Sequence, residues 1–182
     1  FASAFTLFGV SIIYGLTGST NYENINFALA GAGNGTILAF ATAMVVAGLG
    51  FKVSMAPFHM WTPDVYQGAP TTVAAFFSVV AKAANFSAIL IIFATVFEAS
   101  AEFWRTLFIV LSVITMFVGS VMAIVQTNMK RMLAYSSITH VGYLLAGLAA
   151  LGKGSATLAG ESIMLYLAAY TVMNLGAFGI LT

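Results

Sequence analysis

The sequence predicts an all-α fold, a polytopic transmembrane helix bundle with about six helices, one of them broken near Pro57. Three observations carry this. Of 182 residues, 61% are hydrophobic and 6% charged, and the mean hydropathy is +1.02; soluble domains carry about a quarter charged residues. Six basic and five acidic side chains cannot cover a water-soluble fold of this length, so lipid is its solvent. The apolar runs approach the roughly 20 residues that cross a hydrocarbon core as a helix, whereas barrel strands need only about 10 alternating ones.

The first run, 1–16, begins "FASAFTLFGV" with no Met and no basic leader, so we read it as a helix cut within a longer parent. A Gly-, Asn- and Ser-rich loop, "TGSTNYENINFALAGAGNG", is expected next. The second segment, 36–66, contains Lys52 and Pro57; proline removes a backbone donor and clashes with the preceding turn, so the helix is expected to break between about Lys52 and His59. "YQGAP" separates it from the third segment, 71–97. "EASAEF" leads to 104–126, "TNMKR" to 132–151, and "GKGSATLAG" to 161–182, which ends still apolar. The whole, 1–182, reads as a fragment of one transmembrane domain.

Several chemistries are excluded. There is no cysteine, so no disulfide, thiolate-metal or iron–sulfur site, and the two histidines are too far apart in sequence to suggest a metal cluster. The net charge of +1 says nothing about nucleic acid. No phosphate loop, Ser/His/Asp triad or paired-carboxylate motif occurs.

The informative residues are the ionisable ones inside apolar runs. If the second segment continues through its break, Lys52 lies near its middle; if it stops at Pro57, Lys52 snorkels to the interface beside an ordinary kink. Lys82, in "FFSVVAKAANFSAIL", cannot easily reach water, and a central lysine costs roughly 2.5–3.5 kcal/mol on insertion scales. Ser78 and Asn85 fall on its helical face as polar neighbours. His140, in "AYSSITHVGYLLAG", shares a face with Ser136 and Tyr143; the bland reading is a satisfied core histidine. Three helices each holding one ionisable group at mid-depth point to a proton path: Lys52, Lys82 and His140 as the relay. Burial disfavours the charged form of an amine, so a nearby charge decides whether it holds its proton; histidine titrates near neutrality in water.

Lesser candidates are His59 and Trp61, lining the half-helix after the break, Asp64, terminating it, and Glu161, complementing the dipole at the start of the last helix. Lys130 and Arg131, adjacent in one loop, place that loop in the cytoplasm against Arg105 and Lys153 on the other face.

"GFKVSMAPFHMWTPDVYQGAP", "VVAKAANF", "QTNMKRMLAYSSITHVGYLLAG" and "YLAAYTVMNLGAFGIL" together resemble the antiporter-like membrane subunits of respiratory complex I, and "DVYQGAP" points to the N-type among them. The resemblance covers nearly the whole chain. It implies that the segments are helices six to eleven of the family's fourteen, that Lys52 and Lys82 match the lysines of its central proton path, and that His140 matches a position on its polar axis. It further implies a role in coupling NADH-to-quinone electron transfer to proton pumping. The family's glutamate on the fifth helix and two further lysines would lie outside this stretch. No cofactor is expected in this chain, with NADH, FMN, iron–sulfur clusters and quinone held by other subunits. The implied partners are the other membrane subunits of complex I and the lipid bilayer, not nucleic acid, in a bacterial inner membrane or an organellar inner membrane. The alternatives that share these features are a subunit of a multisubunit cation/proton antiporter or membrane-bound hydrogenase, and a non-conducting membrane scaffold.

Overall fold

The computed structural model describes residues 2–32, 35–151 and 156–181; Lys153, expected in a loop, lies outside the described residues. The helices are α1 (Ala2–Thr17), α2 (Tyr22–Ala32), α3 (Thr36–Val53), α4 (Trp61–Gly68), α5 (Thr71–Phe76), α6 (Lys82–Thr95), α7 (Ala101–Ile124), α8 (Met129–Leu151) and α9 (Ala156–Ile180). A π-helical turn, Phe77–Ala81, joins α5 to α6, and a 3₁₀ turn, Glu98–Ser100, precedes α7. No strand occurs among the described residues. Among the described residues, five helical stretches are long and apolar enough to cross a membrane, or six if α1 and α2, bent by 66° from one another, form one span.

The stretch after α1, expected as a loop, is largely helical. Gly18 stops α1 in a left-handed conformation, and the Asn21 side chain then accepts bonds from the backbone N–H groups of Glu23 (3.0 Å) and Asn24 (3.2 Å), capping α2. Ile25 and Leu29, one turn apart, bury the inner side of α2 against the core. Helix α9 also starts earlier than expected, so Glu161 lies more than a turn inside it rather than in its first turn.

The main core runs through α1, α2, α3, α6, α7, α8 and α9, with Val45, Leu49, Phe86, Phe93, Phe108, Val141 and Leu145 buried in it. Phe93 stacks on Phe97 and meets Trp104 and Phe108 edge-on, and Trp104 donates its indole N–H to the Phe97 carbonyl (2.8 Å). Outward, α7 shows Ile109, Val110, Val113 and Phe117, an apolar face suited to lipid.

Helices α7 and α8 approach so closely that small residues are required at the crossing. A Cβ on Gly119 would come within 2.7 Å of the Thr139 backbone nitrogen, and one on Gly142 within 2.9 Å of the Met116 nitrogen. Ser112 Oγ uses the gap to donate to the Gly142 carbonyl at 3.0 Å. Since backbone atoms cannot step aside, either Gly119→Ala or Gly142→Ala should destabilise the full-length protein by about 1–3 kcal/mol, read as a lower thermal midpoint in detergent.

Candidate functional site

Helix α3 stops at Val53, and helix resumes only at Trp61, with Pro57 between. Ser54 takes a left-handed conformation (φ 67°), and the chain folds back so that Ser54 N–H and Met55 N–H reach the carbonyls of Phe51 (3.2 Å) and Gly50 (2.8 Å). The interrupted backbone is then satisfied by protein rather than lipid. Ala56 N–H donates to Thr115 Oγ1 of α7 at 3.2 Å, Trp61 Nε1–H to the Phe51 carbonyl at 2.8 Å, and Thr62 Oγ1–H to Ser54 Oγ at 2.5 Å. Thr115→Val would leave the buried Ala56 N–H without that acceptor. It should destabilise the full-length protein in detergent by about 1–3 kcal/mol, measurable by thermal unfolding.

Lys52 occupies the last turn of α3, where a cation suits the helix dipole. Its side chain is exposed and has no hydrogen bond or ion pair among the described residues. His59 lies in the break with its ring edge-on to Tyr135, its Nδ1 buried and unpaired. Trp61 opens α4 and stacks on Phe51. Asp64 does not terminate α4; it sits in its first turn, where its carboxylate pairs with Arg131 at 2.5 Å. Arg131 also donates to Gln67 (3.2 Å) and Lys130 to the Ala69 carbonyl (2.9 Å), so both loop cations tie α4 to the start of α8.

Among the described residues Lys82 is the one buried Lys, Arg, His, Asp or Glu, 3% exposed, directly after the π-helical turn. Its amine donates to the Ser137 carbonyl at 3.1 Å and to Ser137 Oγ, both on α8. Ser78 and Asn85 do not hold it: Ser78 Oγ donates to the Ala75 carbonyl (2.8 Å) and Asn85 Nδ2 to the Ala81 carbonyl (2.7 Å). Such wide turns recur at functional sites because they re-aim a side chain and loosen the local ladder.

His140 lies one turn beyond Ser137 on α8, part-buried. Its Nδ1 is 2.5 Å from the Tyr166 hydroxyl on α9, and its ring contacts Tyr143 and Tyr170. Tyr143 is 47% exposed, and Ser136 makes no side-chain hydrogen bond among the described residues. The structure thus brings the Lys82 amine from α6 to Ser137, one turn from His140 on α8, and leaves Lys52 on the outside of the described chain.

Four residues with polar groups in this region escaped the reading of the sequence: Ser137, Tyr66, Tyr166 and Tyr170. One signal was available. "YLAAYTVMN" sets Tyr166, Tyr170 and Asn174 four apart on one stripe of α9, and Tyr170 and Asn174 are buried. Among the described residues no group of three or more histidines and carboxylates could hold a metal ion.

A model of the family described as NADH:quinone oxidoreductase/Mrp antiporter, transmembrane, matches residues 1–182. The chain is 49% identical over 178 residues to NADH-quinone oxidoreductase subunit N of Rubrobacter xylanophilus, covering 97% of this chain and 37% of that one. It is similar to a chain in respiratory complex I from Thermus thermophilus with bound aureothin, with TM-score 0.70 and 38% identity over 96% of this chain and 36% of that one. It also matches a chain of the Mrp complex from Dietzia sp., with TM-score 0.84 and 28% identity over 97% and 32%. The chain therefore spans a little over a third of the length of the curated relative.

Proposed function

Because the chain belongs to the NADH:quinone oxidoreductase/Mrp antiporter transmembrane family, we propose that it is part of a proton-translocating membrane subunit of an NADH-quinone oxidoreductase. In this reading it sits in a bacterial cytoplasmic membrane among other membrane subunits, and NADH, flavin, iron–sulfur and quinone chemistry takes place on those partners. This chain contributes the proton path. The observation that carries the proposal is the amine of Lys82, buried between helices and bonded to Ser137 one turn from His140. A buried amine held by neutral groups alone responds to any charge that approaches it. His140 with its Tyr166 partner is the next group that can take up a proton, and Lys52 beside the broken helix is the group before it.

A second reading, a subunit of a multisubunit cation/proton antiporter, draws on the TM-score of 0.84 to the Mrp chain. Proton uptake by vesicles containing the full-length protein and its partners separates the two. NADH-driven uptake that depends on Lys82 supports the first reading, and uptake driven only by an imposed cation gradient supports the second. Uptake that ignores Lys82 in both assays points to a scaffold.

A further inference from the structure

Two tyrosine hydroxyls end inside the protein near Ser137, the residue that holds the Lys82 amine, with no hydrogen bond of good geometry. Tyr66, on the half-helix after the break, is 0% exposed, and Tyr170, on α9, is 4% exposed. Neither hydroxyl is settled in a hydrogen bond of good geometry among the described residues, and Ser137, the residue that bonds the Lys82 amine, is a near neighbour of both. Buried unpaired hydroxyls are uncommon and call for a reason. The Tyr66 ring is seated edge-on against Phe178 in a small cluster with Ala74 and Ala134, so its hydroxyl is held in place. Tyr170 in turn packs its ring on His140, 5.2 Å between centroids, and lies within reach of Tyr166, whose hydroxyl meets His140 Nδ1.

We propose that Tyr66, Ser137 and Tyr170 are positioning residues that stabilise the Lys82 amine in both of its protonation states and pass its state on toward His140 through Tyr166. The inference rests on the reading of Lys82 as a proton carrier.

A hydroxyl has one proton to give and lone pairs to receive. With Lys82 charged, its ammonium donates to Ser137 Oγ, and the Ser137 proton turns toward a tyrosine oxygen. With Lys82 neutral, the amine has a free lone pair, so the Ser137 hydroxyl turns to donate to it, and a tyrosine proton turns to Ser137 Oγ. Only orientations change in this reversal, and each step satisfies one of the buried hydroxyls. Two tyrosines from different helices give the switch two directions: Tyr66 belongs to the half-helix after the break, and Tyr170 packs on His140. On this view the break has a use beyond Lys52, since it sets α4 so that Tyr66 comes near Ser137, the residue that holds the amine.

The test is the ratio of protons taken up to NADH oxidised in inverted membranes containing the full complex, normalised to assembled complex. Its variants are Tyr66→Phe/Tyr170→Phe together, Ser137→Ala, Ser137→Thr and Lys82→Ala. Phe keeps both rings and their packing, and Thr keeps the hydroxyl. We expect the double Phe variant and Ser137→Ala to lose pumping to an extent approaching Lys82→Ala while NADH oxidation per assembled complex persists, and Ser137→Thr to restore it. A structural role would lower assembly and leave the ratio alone. If Lys82→Ala lowers the ratio while the double Phe variant and Ser137→Ala match the parent, the hydroxyl cluster is overturned and the lysine reading stands. If Lys82→Ala also matches the parent, the lysine reading falls and the inference with it. Should Ser137→Ala fail to assemble, the double Phe variant decides alone.

Discussion

Replacing Lys82 by Ala should bring NADH-driven proton uptake by the assembled parent complex to background. A positioned acid–base group typically contributes about 10²- to 10⁴-fold to the proton transfer it serves, and no other ionisable side chain on α5 or α6 can stand in. Lys82→Arg should not restore uptake, because a guanidinium keeps its proton at any physiological pH. Lys82→Met is the sharper control. It keeps the volume of the side chain and removes the charge, a change that for a buried ion pair is neutral or stabilising by about 1–4 kcal/mol when the replacement packs well. We expect Lys82→Met to assemble as well as the parent, with a thermal midpoint no lower, and to pump no protons. A scaffold predicts the same assembly with pumping intact, so the proton-to-NADH ratio in this one variant discriminates the two roles. Ala alone is less clean, since it also leaves a cavity beside Ser137 whose walls relax only in part.

The helical bundle and the interruption at Pro57 were legible because both follow from one-dimensional signals: apolar runs of membrane length and a residue that cannot donate to the helix ladder. Helix α2 was not, since its Asn and Gly content reads as loop, and the cap at Asn21 that starts it resembles any polar turn. The lining of Lys82 was also out of reach. Periodicity says which residues share a face of one helix, but not which face of another helix they meet. Ser136 and Ser137 are adjacent in sequence and about 100° apart on α8, and only the packing of the helices in three dimensions puts Ser137 at the amine. The π-helical turn leaves no mark in the residue pattern "FSVVA". Tyr66 was hidden for a related reason: its role depends on where the chain goes after the break, which the presence of Pro57 does not determine.

Lys52→Ala should lower the same proton-to-NADH ratio strongly, and here Arg is the informative companion. Helix α3 has 18 residues and at about 1.5 Å per residue rises about 27 Å, close to a hydrocarbon thickness by itself. An exposed lysine in its last turn has two physical roles open to it. As a cation complementing the helix C-terminus or snorkelling to an interface, it acts by charge and length alone, and Lys52→Arg should restore assembly and pumping in full. As a proton carrier it must also release its proton, which Arg does not do. The relay reading expects Lys52→Arg to assemble like the parent, because charge at the end of α3 is kept, and yet to pump no better than Lys52→Ala. Full recovery by Arg would remove Lys52 from the relay and leave Lys82 and His140 as its core. The measurement is informative even though Lys52 meets no partner among the described residues, because it tests the chemistry of the side chain and not its surroundings.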